Sequence, residues 1–456
     1  FNTGITTQTD VSLSGGDDIS TFFLSVQNVS AKGIIEGDKN SKTGARFNAS
    51  RKFGKLTALF NLNYVYNRND VTPSEPWSTV YRHPAHIPYD AVRDWENIPY
   101  ASPNYWYSTN QPNPYFNAAN QRTLTNQQTL NANVELNYAF APWFNAIYRV
   151  GLYNRNAQAR STTGKFTYTT PGRTHIAGSV SDGADDFRRI NSDLILNFNK
   201  DFGRFPPRLL VGNNLRADDT KSSLVSASAL VVPGLFNPGN RTGQLGGSAS
   251  TTQYRQTAVY GEFTAGYNNY LYVTLTGRQE WVSVLSPDNR SYFYPGVGAT
   301  FIFSDAIDAL KNSSMLSFGK VFTSYNRTGN VNGISPYALN NTYSQTNGFP
   351  FGTLPGFSLG TNYPNFNMKP EFVTSYEAGT QLGFFNNRLN IDLTYAYSLS
   401  TDGIIQTDIP GSTGYATALV NAFEVSNNIY EAGIIGDVIR NRAMKWNLGV
   451  TLYHMD

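Results

Sequence analysis

Between residues 389 and 399 the chain alternates strictly. Leu389, Ile391, Leu393, Tyr395, Tyr397 and Leu399 fall on one set of positions, and Asn390, Asp392, Thr394, Ala396 and Ser398 on the other. Successive side chains of a strand point to opposite faces, so this stretch predicts a strand with one apolar and one polar face. A soluble sandwich would bury the apolar face under a second sheet, whereas an outer-membrane barrel turns it to lipid and turns the polar face to an aqueous lumen. A length of about eleven residues suits a tilted strand that crosses a bilayer. The preceding Phe384-Phe385-Asn386-Asn387-Arg388 reads as a tight turn flanked by aromatics, the composition of a membrane interface.

The same unit recurs along the chain. Alternation predicts strands over residues 6–14, 19–28, 43–52, 56–67, 127–138, 145–155, 188–199, 208–218, 254–267, 271–283, 291–302, 315–325, 429–437 and 445–454. With the hairpin at 374–400 this makes about sixteen strands. In 271–283, for example, Leu271, Val273, Leu275 and Trp281 oppose Tyr272, Thr274, Thr276, Arg278 and Glu280. Short connections at 15–16, 53–55, 139–144, 200–207, 268–269 and 384–388 alternate with long ones at 29–42, 68–126, 156–187, 219–253 and 326–372. Tight periplasmic turns facing long extracellular loops are the asymmetry of an outer-membrane barrel, and a sandwich rarely carries several long structureless loops. Two connections break the rule: 285–289 is short where a long loop is due, and 304–314 is long, with SDAIDALKNSS suited to one helical turn. The reading is an all-β, transmembrane antiparallel β-barrel. Residues 1–456 form one barrel domain, with long extracellular loops at 68–126, 156–187, 219–253 and 326–372.

Composition sharpens this in three ways. Charged residues make up only 15% of the chain while aromatics reach 14%, against roughly 25% charged in ordinary soluble proteins. No run of eighteen apolar residues exists in the sequence, which excludes a helical membrane protein but not an alternating barrel. With Cys 0 there is no disulfide scaffold and no thiolate chemistry, and a formal net charge of +3 is too mild to point to nucleic acid. The chain opens without a basic start or an apolar signal core and stops at Met455-Asp456 just after a strand-like WNLGVTLYH. It is expected to be an internal piece of a longer barrel protein, cut at both ends.

Four strings carry a resemblance. SLSGGDDISTFFLSVQNVSAKGII (12–35), SYNRTGNVNGISPYA (324–338), KPEFVTSYEAGTQLGFFNNRLNIDLTYAYSLSTDGII (369–405) and IPGSTGYATALVNAFEVSNN (409–428) follow one another in order. They resemble the barrel of SusC-like (SusC/RagA) TonB-dependent transporters of Bacteroidota. The resemblance implies a barrel of about 22 strands whose lumen is too wide for side chains to fill and is closed by a plug. It also implies energy from TonB acting through that plug, and a SusD-like surface lipoprotein as a lid over glycans or peptides. The plug and any TonB-contacting segment are absent from this chain, and Phe423 and Ile429 stand where such barrels often have Gly.

Catalytic and metal chemistry find little support in the residues. His83 and His86 form HxxH in the longest loop, but Pro84 and Pro88 argue against the helix that would align two imidazoles, and the ordinary reading is a pair of loop histidines. Neither these nor His175 and His454 sit beside a nucleophile-elbow sequence. No catalytic, metal or cofactor site is therefore expected. The loop at 68–126 instead crowds aromatics between prolines: Trp77, Trp95, Tyr105, Trp106 and Tyr107 are the candidate ligand-binding residues, because flat rings stack on sugars or clasp peptides. The competing expectation is that the loop folds on itself and its rings form a small core. The QPNPYF segment at 111–116 resembles one seen before a strand in SusC-like barrels and is expected to be structural. Three functions follow in order: an outer-membrane importer of oligosaccharides or oligopeptides, a structural or binding barrel in a surface assembly, and an enzyme, which lacks a catalytic constellation.

Overall fold

The predicted strands are all present, and most are longer than expected. The computed structural model describes residues 2–73, 83–106, 112–311, 313–345, 349, 351–441 and 444–456. In chain order the strands are β1 Ile5–Gly16, β2 Ser20–Lys32, β3 Lys39–Phe53, β4 Leu56–Val71, β5 Gln121–Ala141, β6 Phe144–Thr163, β7 Ser179–Asn199, β8 Arg208–Ser228, β9 Gly246–Tyr267 and β10 Leu271–Val282. They continue with β11 Ser291–Phe301, β12 Leu316–Asn330, β13 Tyr343–Gln345, β14 Phe357–Leu359, β15 Asn362–Tyr363, β16 Glu371–Phe384, β17 Leu389–Asp408, β18 Thr417–Arg440 and β19 Lys445–Met455. The long connection at 302–315 opens with the expected helical turn, Phe303–Ala306.

The chain forms two compact units. The first comprises Phe1–Leu136, Arg149–Asn191 and Ala217–Gln253. Its β1 to β4 run as an antiparallel meander in continuous register. Strands β5 to β9 contribute their long-loop halves to this unit. These strands have 20 to 22 residues, about twice the 9–11 that a tilted strand needs to cross a bilayer. In the extra turns the alternation disappears, because both faces meet water. Cross-strand charges hold the wall there: Arg160 to Asp182 at 2.7 Å, Arg188 to Asp219 at 3.1 Å, Arg189 to Asp218 at 2.8 Å, and Arg155 to Asp185. The side-chain hydrogen bonds from Arg160 hold the Asp182 carboxyl below its ordinary pKa.

The second unit comprises Asn137–Tyr148, Ser192–Arg216 and Tyr254–Asp456. Its register sorts side chains into two kinds of row. Val321, Thr380, Leu393, Ala432 and Leu452 lie opposite one another on β12, β16, β17, β18 and β19, and the adjacent row is Lys320, Gln381, Asp392, Gly433 and Thr451. Leu393 is 43% exposed and Leu452 67%, so among the described residues no second sheet covers this face. So large an apolar surface requires lipid. Toward the long loops the apolar face ends in a band formed by Tyr325, Tyr376, Tyr397, Tyr395 and Tyr430. Toward the short turns it ends at Phe384 and Phe385, where Phe385, Asn386 and Asn387 all take positive φ. Ser317 Oγ accepts from the amides of Asn386 and Asn387 at 2.7 and 3.3 Å, which fixes that strained turn.

Described residues of the long connection between β12 and β16 are tied down within this unit. Ile334, Leu339 and Met368 pack with Val282, Val284 and Leu285. Gly333 makes this possible, since a Cβ there would come within 2.8 Å of Ile404 Cγ2. Asn421 donates to Lys369 O and Asp402 O and accepts from Lys369 N, while β15 pairs in parallel with the start of β18. Three of the four strings that carry the family resemblance thus converge on one packed cluster, which explains them as structural pins.

Candidate functional site

The described residues of the longest connection, between β4 and β5, fold into an insert in the first unit. Its base is closed by Arg122, the second residue of β5. The guanidinium donates to Asp38 at 2.8 Å, to Asp70 at 2.6 and 3.0 Å, to Thr72 Oγ1 at 3.0 Å and to Gly37 O at 2.8 Å. Asp38 also accepts from the Thr72 amide at 2.9 Å. A planar five-donor fork is the one side chain able to gather a loop and two strand ends in this way. The sequence gives no signal for it, because the partners stand far apart in the chain.

The insert returns to β5 through the helix Pro114–Asn120, and Asn113 to Phe116 of the QPNPYF segment form its cap and start. Asn113 is the N-cap: its Oδ1 accepts from the amides of Tyr115 and Phe116 at 2.9 and 3.4 Å, and Pro114 follows where no amide is needed. The other end of the same amide donates to Val92 O at 2.8 Å and to Ala101 O. Asn113 is fully buried, so one side chain joins the helix to two other turns of the insert.

Of the two expectations for the rings of this loop, stacking on a ligand or forming a small core, the burial of Trp106 matches the second. Trp106 is buried with Val92 and Ala101, packed by Ile98 and Tyr115, and His83 stacks on it at 5.8 Å. Its indole is the core of the insert, because so small a segment needs one large ring to bury. His83 also stacks on Tyr89 at 4.1 Å, and its Nε2 lies 2.7 Å from Ile87 O, which places this histidine in the same packing. Burial raises the Tyr89 hydroxyl above its ordinary pKa. Trp95 is half-buried, edge-on to Phe116 at 5.1 Å and to Phe166 at 5.9 Å. Trp77 and Tyr107 lie outside the described residues.

Phe166 belongs to the connection between β6 and β7, which packs against the insert. Tyr168 Oη accepts from the Asn104 amide at 2.9 Å, and its ring meets Tyr105 edge-on at 5.2 Å. Arg173 lies 5.0 Å from the Tyr105 ring and 5.6 Å from that of Tyr168, and donates to Ser102 Oγ at 3.2 Å. Tyr105 remains 37% exposed, but its hydroxyl accepts from the Thr174 amide at 2.9 Å, a bond that lowers its pKa. Of the sequence candidates, the structure therefore brings Trp95, Tyr105 and Trp106 into one folded element, and only Tyr105 keeps substantial open surface.

A cavity of about 490 Å³ opens between this insert and the connection of β2 and β3. Ile34 and Ile35 form its apolar wall. Across from them Arg93 pairs with Glu36 at 3.2 Å and lies 5.7 Å from the Tyr115 ring, while Tyr115 Oη donates to Asp90 at 3.5 Å. Burial, and then the Asp90 charge, raise the Tyr115 hydroxyl's pKa. The Arg93 and Glu36 side chains are well exposed, so their pair is weak in water and open to exchange with charges on a ligand. Sequence reasoning missed this cavity because it weighed the aromatics and not the charges between them.

The comparisons agree with this architecture. The family described as TonB dependent receptor-like, beta-barrel matches residues 46–454. TonB-dependent receptor P26 of Formosa agariphila is 22% identical, the match covering 96% of this chain and 44% of that protein. TonB-dependent receptor SusC of Bacteroides thetaiotaomicron is 21% identical over 99% of this chain and 47% of its own length. Among solved structures, the RagAB peptide transporter superposes with a TM-score of 0.79 at 16% identity, covering 99% of this chain and 51% of that one. The chain spans less than half the length of these curated relatives. With strands of membrane-crossing pattern and a match over most of its length, the chain belongs to the TonB-dependent receptor β-barrel family of the outer membrane and is SusC-like.

Proposed function

We propose that this chain is the barrel part of a TonB-dependent transporter that imports bulky nutrients, oligopeptides or oligosaccharides, across the outer membrane. In this reading residues 1–456 belong to one barrel domain. TonB acts through a plug outside this chain, and a SusD-like lipoprotein covers the long-loop side. The observation that carries the proposal is the clamped insert with its charged cavity at the long-loop end of membrane-crossing strands. A barrel that served only as a structural subunit would need no such built cavity.

The chemistry of the cavity favours oligopeptides. The rings of Tyr89 and Tyr115 are engaged by His83 and Arg93, so the recognition surface is a guanidinium and two carboxylates, which suit ionised termini and side chains better than neutral sugars. Tyr105, which keeps open surface, would offer a further contact to the ligand. Arg93→Ala in the full-length protein should lower uptake of labelled oligopeptide about tenfold, the effect of losing one charge-assisted hydrogen bond. Barrel assembly, read as heat-modifiable migration on gels, should not change. The same strain should yield a lipoprotein lid on co-purification in mild detergent. Unchanged uptake in the Arg93 variant, or a barrel that purifies alone with open loops, favours the structural reading.

A further inference from the structure

The short-turn end of the second unit carries an assembly that import does not use. The connection of β7 and β8 is a rigid hairpin: Phe202 N donates to Phe205 O at 3.3 Å, Gly203 takes φ 73°, and its amide donates to Asp201 Oδ1 at 2.8 Å. It docks on the neighbouring turn, where Asn268 N donates to Arg204 O at 2.9 Å and Phe205 meets Tyr267 at 4.9 Å. Phe202 is 60% exposed and Phe205 56%, and Trp143 stands beside them largely open. Lys200 Nζ lies 5.1 Å from the Phe202 ring and 6.0 Å from that of Trp143.

Lys200, Arg204 and Arg208 are exposed, and among the described residues no carboxylate pairs with them. The one acid of the turn, Asp201, is occupied by the Gly203 amide. Exposed rings at the end of a lipid-facing strand mark the boundary of hydrocarbon and water. Unpaired cations at that depth face the phosphate layer, and each contributes electrostatic attraction to an anionic headgroup.

We propose that this turn is a binding site for an anionic phospholipid of the periplasmic leaflet. Lys200 and Arg204 hold the phosphate, while the Phe202, Phe205 and Trp143 rings flank the upper part of the acyl chains. Rings fixed by two docked turns lose little freedom on binding, and a lysine already held against two ring faces is pre-oriented.

Native mass spectrometry of the full-length protein in mild detergent, with phosphatidylglycerol and phosphatidylcholine added in equal amounts, tests this. The wild type should retain phosphatidylglycerol preferentially. The Lys200→Glu/Arg204→Glu pair should lower that retention on the order of tenfold or more. The charge-keeping Lys200→Arg/Arg204→Lys pair should preserve it, and heat-modifiable migration confirms that both variants fold. Equal retention of the two lipids by the wild type, or no loss in the glutamate pair, overturns the proposal. Displacement of the lipid by inorganic phosphate at equal concentration also overturns it, since that would show a simple anion site without tail contacts.

Discussion

Leu393→Arg should destabilise the barrel by about 2–4 kcal/mol, whereas Asp392→Asn, one residue away, should change it by less than about 1 kcal/mol. The two positions stand in neighbouring rows of opposite character: Leu393 between Thr380 and Ala432, Asp392 between Gln381 and Gly433. Depth sets the magnitude. Leu393 lies midway between Leu389, at the short turn, and Tyr397, in the tyrosine band, and eight residues of tilted strand span about 20 Å of bilayer normal. An arginine there is too far from either interface to place its guanidinium in water without thinning the bilayer. Leu399→Arg is the internal comparison, because its row already holds Arg327, packed 4.1 Å over the Phe372 ring. Its cost should be no more than about 1 kcal/mol. Urea unfolding of the full-length protein in lipid vesicles measures all three. Equal losses at 392 and 393 would show that the odd-numbered face does not meet lipid.

The membrane-crossing parts of the strands were legible because lipid enforces alternation. Apolar residues must recur at every second position wherever one face meets hydrocarbon, so β4, β10 and β17 stand out by pattern alone. The same reasoning misplaces the outer ends of other strands. Strand β18 begins at Thr417 where alternation suggested 429, and β8 runs to Ser228 where it suggested 218. Beyond the bilayer both faces are wet, so stretches such as Asn154, Arg155, Asn156 and Gln158 satisfy the ladder without any periodic signature. The loops are correspondingly shorter than expected. Phe423, which stood out against the glycine usual in such barrels, lies against Gly403 beside a register shift where Asp402 takes positive φ. A bulge turns the strand there and admits the ring.

The insert was legible as a folded element and not as an arrangement. Its density of aromatics and prolines gave a small core, but composition carries no direction. Trp106 and Tyr105 are adjacent in sequence, yet one fills the core and the other reaches the β6–β7 connection. Asn113-Pro114 carried a true local signal, since a capping side chain and proline at the first helical position are properties of neighbouring residues. Arg122 and Arg93 carried none, because their meaning rests on partners more than fifty residues away.

Asn113→Asp should loosen the insert more than Asn113→Ala, although aspartate is the better N-cap by propensity. In the alanine variant the helix loses its cap and the carbonyls of Val92 and Ala101 lose their donors, together costing the insert about 2–4 kcal/mol. In the aspartate variant the cap acceptor survives, but a carboxylate oxygen replaces the amide nitrogen and faces those two carbonyl oxygens. The site is fully buried, so the second carboxylate oxygen finds neither water nor a donor and the cost rises to about 3–5 kcal/mol unless the group takes up a proton. Hydrogen exchange of the Tyr89–Val92 and Pro114–Asn120 segments in the full-length protein should accelerate in both variants, more in the aspartate one at neutral pH. Acidification should narrow the difference, because burial against two carbonyl oxygens raises the carboxyl's pKa and the neutral acid restores one donor. Heat-modifiable migration should stay as in the wild type, since the insert lies outside the hydrogen-bonded wall. Exchange in the aspartate variant as slow as in the wild type would show that the amide donors of Asn113 do not hold the two turns together.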